Sequence, residues 1–217
     1  MDAATKTDDR TASSAVPSSL GGDAYHHGDL RAACIAAGLR LVDDGGVDAL
    51  TIRGVARATG VSHTAPLHHF RDRDELLAAV AQAGFDRLMA DAQVAIHDTP
   101  SDPVEQIRRY ALVYVRGAIG SPGLFRLMFG DAACEVGVEA YQLLIDLVAR
   151  SGLARGDPEP TALLIWAQVH GLASLYAEGK LGHELEDLEP GQVPPRALVA
   201  LDRLIDLLTH SSTGVRS

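Results

Sequence analysis

The sequence is poor in cysteine and in long apolar runs. Only Cys34 and Cys134 occur among 217 residues, and no CxxC pair is present, which excludes a disulfide framework and a zinc site built on paired cysteines. No stretch approaches the roughly 18 consecutive apolar residues of a membrane-spanning helix, so no membrane partner is expected. Because no secretory signal pattern is found either, we predict a protein of the reducing cytoplasm.

Motifs of the common enzyme classes are also missing. The chain has no phosphate-binding GxxxxGKS/T, no HExxH and no GxSxG, and we predict neither catalytic residues nor a cofactor. The histidines include two adjacent pairs, His26-His27 and His68-His69. Neighbours in a helix point about 100° apart, so neither pair converges on one ion, and no metal site is predicted.

Positive charge is scarce as well. Lysine and arginine number 19 against 29 acidic residues, which gives a formal net charge of -10. Taken alone, this balance argues against a nucleic-acid partner, because DNA affinity comes largely from neutralising phosphates. The balance is reversed over residues 51–73, where Arg53, Arg57, Arg71 and Arg73 are accompanied by a single acidic residue, Asp72. A small basic surface on an acidic body is therefore compatible with the sequence.

Alanine and leucine dominate a hydrophobic fraction of 47%. Both are strong helix formers, and β-branched residues seldom alternate, so we predict an all-α fold of about nine helices. Caps, apolar spacing and glycine or proline breaks place them near residues 29–45, 51–60, 62–69, 72–96, 104–119, 122–130, 135–151, 160–181 and 196–210. Residues 1–24 have no sustained apolar period and are predicted to be a disordered tail.

Two of the short helices form a helix-turn-helix pattern. Gly60 allows the tight bend, Val61 fills the angle between the helices, and Ser62 caps the second helix, which would fit a major groove. The residues predicted to contact base edges or phosphates are Thr51, Arg53, Ser62, His63, Thr64, Ala65, Leu67, His68, His69 and Arg73. The alternative is a plain bundle, which would have no reason to combine four arginines, a glycine turn and two caps in this order.

The segments TIRGVARATGVS, residues 51–62, and HFRDRDELL, residues 69–77, resemble the N-terminal signature of the TetR/AcrR family of regulators. The resemblance covers about 50 residues, from Tyr25 to Leu77. Two positions depart from it: Leu67 replaces a phosphate-binding tyrosine, and Pro66 replaces a helix former. Pro66 should remove only the first backbone bond of the second helix, so we expect that helix to survive.

The resemblance implies a helix-turn-helix DNA-binding domain over residues 25–72 and an effector-binding and dimerisation domain over residues 73–211. The implied protein is a repressor. Effector binding would swing the helix that begins at Asp72, change the separation of two recognition helices and release the operator. The expected partners are a palindromic double-stranded operator, a second copy of the chain, and a small apolar or amphipathic effector.

In the second half, SPGLFRLMF at residues 121–129 and IWAQVHG at residues 165–171 resemble a subgroup marked by Trp-His-Gly. Trp166 and His170 share a helix face, either beside an effector cavity or as an ordinary core pair, and the sequence leaves both open. The residues predicted to line an effector pocket are Tyr110, Tyr114, Phe125, Met128, Phe129, Trp166 and His170. The residues predicted at the dimer interface are Leu172, Leu175, Leu198, Leu201, Ile205 and Leu208.

A second hypothesis keeps this fold without DNA binding. The acidic composition and Leu67 favour a helical interaction or ligand-carrier protein. A third possibility, a small helical enzyme, has no constellation of residues to support it.

Overall fold

A computed structural model describes residues 29–99, 101–130, 137–185, 188–189 and 191–213. Within these ranges the fold is all-α, as predicted, and no helix is long and apolar enough to cross a membrane. The helices are α1 Leu30–Gly45, α2 Ile52–Thr59, α3 Arg73–His97, α4 Pro103–Gly120, α5 Pro122–Met128, α6 Val138–Ser151, α7 Glu159–Ala177 and α8 Pro195–Thr213. The predicted tail at 1–24 and Cys134 lie outside the described residues.

Local capping groups set the bounds of the first two helices. The Asp29 carboxylate accepts the Ala32 N–H at 2.9 Å, and the Thr51 hydroxyl accepts the Gly54 N–H at 2.9 Å. Gly60 ends α2 with a φ of 72°, a left-handed conformation that glycine adopts without a steric penalty. These caps are where the sequence predicted them.

The cap of α3 differs in one detail from a standard capping box. The Asp72 carboxylate accepts the Glu75 N–H at 2.9 Å, as expected. The Glu75 carboxylate, however, accepts the N–H of Arg71 at 2.8 Å rather than that of Asp72. The reciprocal bond is therefore displaced by one residue, and it still satisfies a donor at the start of the helix.

The second half of the helix-turn-helix is a 3-10 helix over Ala65–His68 and not an α-helix. Ser62 was predicted to be its cap, and this is wrong: its hydroxyl lies 3.3 Å from the Thr64 hydroxyl instead. Pro66 is buried and has no N–H with which to bond the Ser62 carbonyl, so that α-helical bond is missing and the Ala65 N–H bonds this carbonyl at 3.0 Å. Its own carbonyl accepts the His69 N–H at 2.9 Å. The described residues therefore contain eight α-helices where about nine were expected.

One cluster of buried side chains extends from Cys34 in α1 to Ile205 in α8. Helix α4 lies at its centre and packs against α3, α6, α7 and α8. Phe70, which follows the 3-10 helix, is fully buried, with the Arg31 guanidinium 5.4 Å from its ring centroid. The helix-turn-helix therefore packs directly onto the rest of the protein.

Helix α5 packs between α1, near the N-terminal end of the described chain, and α7. Gly123 lies so close to α1 that a Cβ added there would stand 2.4 Å from the carbonyl oxygen of Val42. Arg126, on the same helix, donates to the carbonyl of Ala177 at the end of α7. This short helix is therefore held between α1 and α7, and any displacement of it would affect both.

Candidate nucleic-acid interface and ligand cavity

Most of the residues predicted to contact DNA are exposed on the helix-turn-helix. The exposed ones are Arg53, Ser62, His63, Thr64, Leu67, His68 and His69. Thr51 and Ala65 are half-buried, and the Thr51 oxygen already accepts a backbone N–H of its own helix. Leu67 is 48% exposed, so the residue at this position faces solvent although it is apolar.

Arg57 was counted in the basic segment over residues 51–73 but was not among the residues predicted to contact DNA, and its exposure adds it to this surface. It is exposed and lies four residues after Arg53 on α2, so the two guanidinium groups share one helix face. The spacing of the two arginines was the signal that could have identified it. Two cations on one face suit the phosphates of a nucleic-acid backbone.

Arg73 makes contacts that the sequence did not predict. Its Nε donates to the Leu50 carbonyl at 2.8 Å, and its Nη2 donates to the Val47 carbonyl at 2.9 Å. Both carbonyls belong to the connection between α1 and α2, so Arg73 fastens the start of α3 to the helix-turn-helix. Only its remaining N–H groups could reach a phosphate, and its main contact is within the protein.

A cavity of about 420 Å³ lies between α3, α4, α5, α6 and α7, and we call it the inner cavity. Five of the predicted pocket residues line it: Tyr110, Tyr114, Met128, Phe129 and Trp166. The lining residues missed from the sequence are Phe85, Ile107, Ala111, Gly130, Gly137, Val138, Ala140, Tyr141, Leu144, Ile165 and Val169. None of these described lining residues carries a charge, so this wall suits an uncharged molecule.

Two polar side chains pair with the Tyr114 hydroxyl at the wall of the inner cavity. Trp166 Nε1 donates to the Tyr114 hydroxyl at 3.3 Å, and that hydroxyl lies 2.8 Å from His170 Nδ1. Because an indole N–H can only donate and a hydroxyl carries one proton, the satisfied arrangement has Tyr114 donating to Nδ1. His170 is then neutral, with its proton on Nε2.

Burial favours the uncharged forms of His170 and Tyr114. It lowers the pKa of His170 below its ordinary value, and it raises the pKa of Tyr114 far above the usual range for a phenol. His170 does not line the cavity but packs behind it, with its ring stacked on Phe125 at 5.5 Å between centroids. Of the two residues whose role the sequence left open, Trp166 faces the cavity and His170 supports Tyr114.

The residues predicted at the dimer interface differ in their exposure. Leu201 and Ile205 are each only 3% exposed, so within one chain they are core residues. They share the side of α8 that packs on α4, where Arg108 forms an ion pair with Asp202. Leu175 and Leu198 are exposed, and Leu172 and Leu208 are half-buried.

Other apolar residues on α7 and α8 face solvent instead. Leu164 is 61% exposed, and Ala167, Gly171 and Leu175 follow it at helical spacing along the same exposed side of α7. On α8 the most exposed apolar residue is Leu207, at 68%. We call these exposed sides the α7–α8 apolar surface.

Comparison with protein families decides the identity. Residues 35–80 match the profile described as bacterial regulatory proteins, tetR family, and residues 107–192 match the tetracyclin repressor-like C-terminal domain. The chain belongs to the TetR family. As a TetR-family member it is a DNA-binding transcriptional regulator that dimerises, and it is not an enzyme.

Solved structures share the TetR fold of this chain. A protein of unknown function from Rhodococcus sp. RHA1 is 30% identical with a TM-score of 0.68, and the match covers 88% of this chain and 98% of that one. A TetR-type transcriptional regulator from Streptomyces coelicolor is 18% identical, with a TM-score of 0.61 and coverages of 86% and 99%. A TetR variant from Acinetobacter baumannii AYE, solved in complex with minocycline, is 21% identical, with a TM-score of 0.59 and coverages of 86% and 98%. Comparison with curated proteins gives no match.

Proposed function

We propose that this TetR-family regulator is a repressor that leaves its operator when a small uncharged molecule occupies the inner cavity. The observation that carries the proposal is the position of α5. Its last residue, Met128, lines the inner cavity, while Gly123 at its other end touches the Val42 carbonyl of α1. One short helix is therefore in contact with both the ligand space and α1, which packs against α2 of the helix-turn-helix.

The chemistry of the inner cavity indicates the class of effector. Its described lining is aromatic and aliphatic. An ionised ligand group buried there without a partner would cost on the order of several kcal/mol. Phe129 and Trp166 offer ring faces and edges to a planar molecule, and Tyr110 and Tyr114 offer hydroxyl oxygens. A solved relative holds minocycline, which supports ligand binding by this fold.

The dimer that binds DNA would form through the α7–α8 apolar surface. Each protomer would place its Ala65–His68 segment in a major groove, with the two segments about 34 Å apart along a palindromic operator. His63 and Thr64, both exposed, would face base edges, and Arg53 and Arg57 would bind phosphates.

Release requires that the effector prefer a different arrangement of the dimer. A ligand with equal affinity for both arrangements shifts no population, however tightly it binds. The inner cavity would therefore fit the effector better in the form of the dimer whose two Ala65–His68 segments are wrongly spaced for DNA. Movement of α5 and α3 at Met128 and Phe85 would connect the shape of the inner cavity with the spacing of the two Ala65–His68 segments.

The first experiment recovers an operator by selecting random duplex DNA on the purified protein. The logarithm of the binding constant should fall linearly with the logarithm of the salt concentration, with a slope of roughly −0.9 per phosphate contact. Arg53→Gln with Thr64→Ala should weaken binding at least about tenfold, since a single good base contact is worth about 1–3 kcal/mol. Arg150→Gln, an exposed arginine on α6, is the control and should bind as wild type. Unchanged binding by the double variant would favour the carrier hypothesis.

The second experiment tests the effector. Neutral aromatic compounds that raise the melting temperature are added to the protein–operator complex, and release is followed by fluorescence anisotropy. Ala140→Leu, which adds atoms to the inner-cavity wall, should abolish release while leaving operator affinity intact. A promoter reporter should be less active when the protein is present. Higher activity would show an activator.

A further inference from the structure

A second cavity of about 490 Å³ adjoins the inner cavity, and we call it the outer cavity. It is lined by residues of α3, α4 and α5 together with Gly191. Tyr114, Met128 and Phe129 line both spaces, so these three side chains form the partition between them. The volume of the outer cavity is within the range of small-molecule sites, about 300–1,000 Å³.

The outer cavity differs from the inner one in its charge. Arg87 of α3, Arg116 of α4 and Asp91 line it, so the ionised groups sum to +1 on a chain whose net charge is -10. Both arginines are exposed, and the structure shows no ion pair or side-chain hydrogen bond between either of them and another described residue. Two guanidinium groups at the edge of a cavity whose described lining has Asp91 as its one acidic residue are suited to a carboxylate, which they can bind through paired N–H groups.

Below these charged groups the outer cavity is apolar. Leu88, Leu124 and Phe125 are all buried and line it, and Phe129 adds a second ring. A ligand that satisfies both parts has a hydrophobic, ring-bearing body and one anionic group. A fully apolar molecule would leave the arginines unused, and a polyanion would desolvate charge against the leucines.

We propose that the outer cavity is a second ligand site, which takes an organic monoanion with an apolar body. Its carboxylate would lie between Arg87 and Arg116, and its body would rest on Leu124 and Phe125. The inference concerns binding to the protein itself. It stands or falls independently of repression and of the neutral effector proposed for the inner cavity.

The test compares naphthalene-2-carboxylate with naphthalene-2-carboxamide, two molecules of the same shape that differ in charge at pH 7. Isothermal titration calorimetry on the full chain should show tighter binding of the carboxylate. Arg87→Gln with Arg116→Gln should lower the carboxylate affinity about fivefold or more, since each exposed pair is worth up to about fivefold, and should leave the carboxamide unaffected. Arg40→Gln with Arg150→Gln removes the same charge from exposed positions on α1 and α6 and should change neither.

A steric variant locates the site. Gly117 lines the outer cavity on α4, and a Cβ added there meets nothing within 4 Å, so Gly117→Phe should fold and fill the space. It should abolish carboxylate binding, while Ala140→Leu in the inner cavity should not. Equal affinity for the two probes, an unaltered affinity in the arginine variant, or sensitivity to Ala140→Leu instead of Gly117→Phe would each overturn the proposal. None of these results would bear on operator release by a neutral effector.

Discussion

Tyr114 is the residue on which the ligand spaces and their polar contacts converge. Replacing it with phenylalanine leaves Trp166 Nε1 and His170 Nδ1 without the hydroxyl that pairs both. We expect Tyr114→Phe to lower the free energy of unfolding by about 1–3 kcal/mol, because buried polar groups left unpaired carry a desolvation cost. Urea denaturation of the wild type and the variant measures this difference in the free energy of unfolding.

Tyr141→Phe is the matched control for that variant. The Tyr141 hydroxyl contacts the Glu159 carbonyl at 3.5 Å, a long and exposed hydrogen bond, so its loss should change stability by less than about 0.5 kcal/mol. Equal losses in the two variants would contradict the assignment of Tyr114 as the shared partner.

His170 should make stability depend on pH. Its pKa is lowered in the folded protein by burial, so the unfolded chain binds its proton more readily. Stability is therefore lost as the pH falls through the ordinary histidine value of about 6.5 towards the lower folded value, and it is independent of this group well above 6.5. His170→Asn keeps an acceptor for Tyr114 and cannot titrate. The variant should lose less stability than wild type between pH 7.5 and pH 5.5, and parallel curves would contradict the prediction.

At this scale the sequence predicted well where a residue acts on its near neighbours. Asp29 and Thr51 bond backbone groups three residues away, so their spacing alone reveals the caps. Arg73 was less predictable, because its acceptors lie 23 and 26 residues earlier in the chain. Phe85 and Tyr141 were missed for the same reason: only packing shows that they face one cavity.

At the scale of elements, the contact between α5 and α1 can be tested at Gly123. Alanine there would place its Cβ 2.4 Å from the Val42 carbonyl oxygen. That oxygen is backbone and the position of a Cβ is fixed by its own backbone, so one helix must move. We expect Gly123→Ala to destabilise by about 1–3 kcal/mol, as overpacking does, although alanine favours helix by about 1 kcal/mol. The same variant should alter operator affinity, because α1 packs against α2, the first helix of the helix-turn-helix.

Gly117→Ala provides the comparison, since it makes the same chemical change on a neighbouring helix. Its added Cβ meets nothing within 4 Å, so the helix preference acts alone and stability should rise by about 0.5–1 kcal/mol. Thermal unfolding of both proteins should therefore give shifts of opposite sign. Shifts of the same sign would show that α5 and α1 are not in restraining contact.

The 3-10 helix over Ala65–His68 shows where sequence reasoning about elements fell short. The missing N–H of Pro66 was noticed, and its effect was expected to be confined to one bond. Burial of the Pro66 ring beneath the segment, which depends on the neighbouring helices, fixes a tighter turn there. Composition and local spacing contain no information about that packing.

At the scale of the whole molecule, dimerisation should depend on the α7–α8 apolar surface. Leu164→Lys with Leu207→Lys places charge on the two most exposed leucines of these helices and should shift the protein from dimer to monomer, as measured by sedimentation velocity. Leu67→Lys, the same substitution at an exposed leucine of the helix-turn-helix, should leave the protein dimeric. A monomeric Leu67→Lys variant or a dimeric double variant would refute this assignment.

Leu201 and Ile205 were predicted at that interface, and the structure places both in the core of the chain. Helix α8 carries leucine and isoleucine around more than half of its circumference, so periodicity shows a wide apolar stripe without showing which part the chain itself covers. The contact with α4 takes Leu201 and Ile205, and leaves Leu207 and part of the stripe outside.

The bonds from Arg73 to the Val47 and Leu50 carbonyls have a mechanical consequence. Because these bonds fasten the start of α3 to the segment between α1 and α2, we expect a tilt of α3 to move that segment with it. Phe85, in the inner-cavity wall, is 12 positions along, about 18 Å from Arg73 at the rise of an α-helix. A tilt of about 10° about Phe85 would therefore displace Arg73 by about 3 Å, close to the roughly 3.4 Å step between successive base pairs.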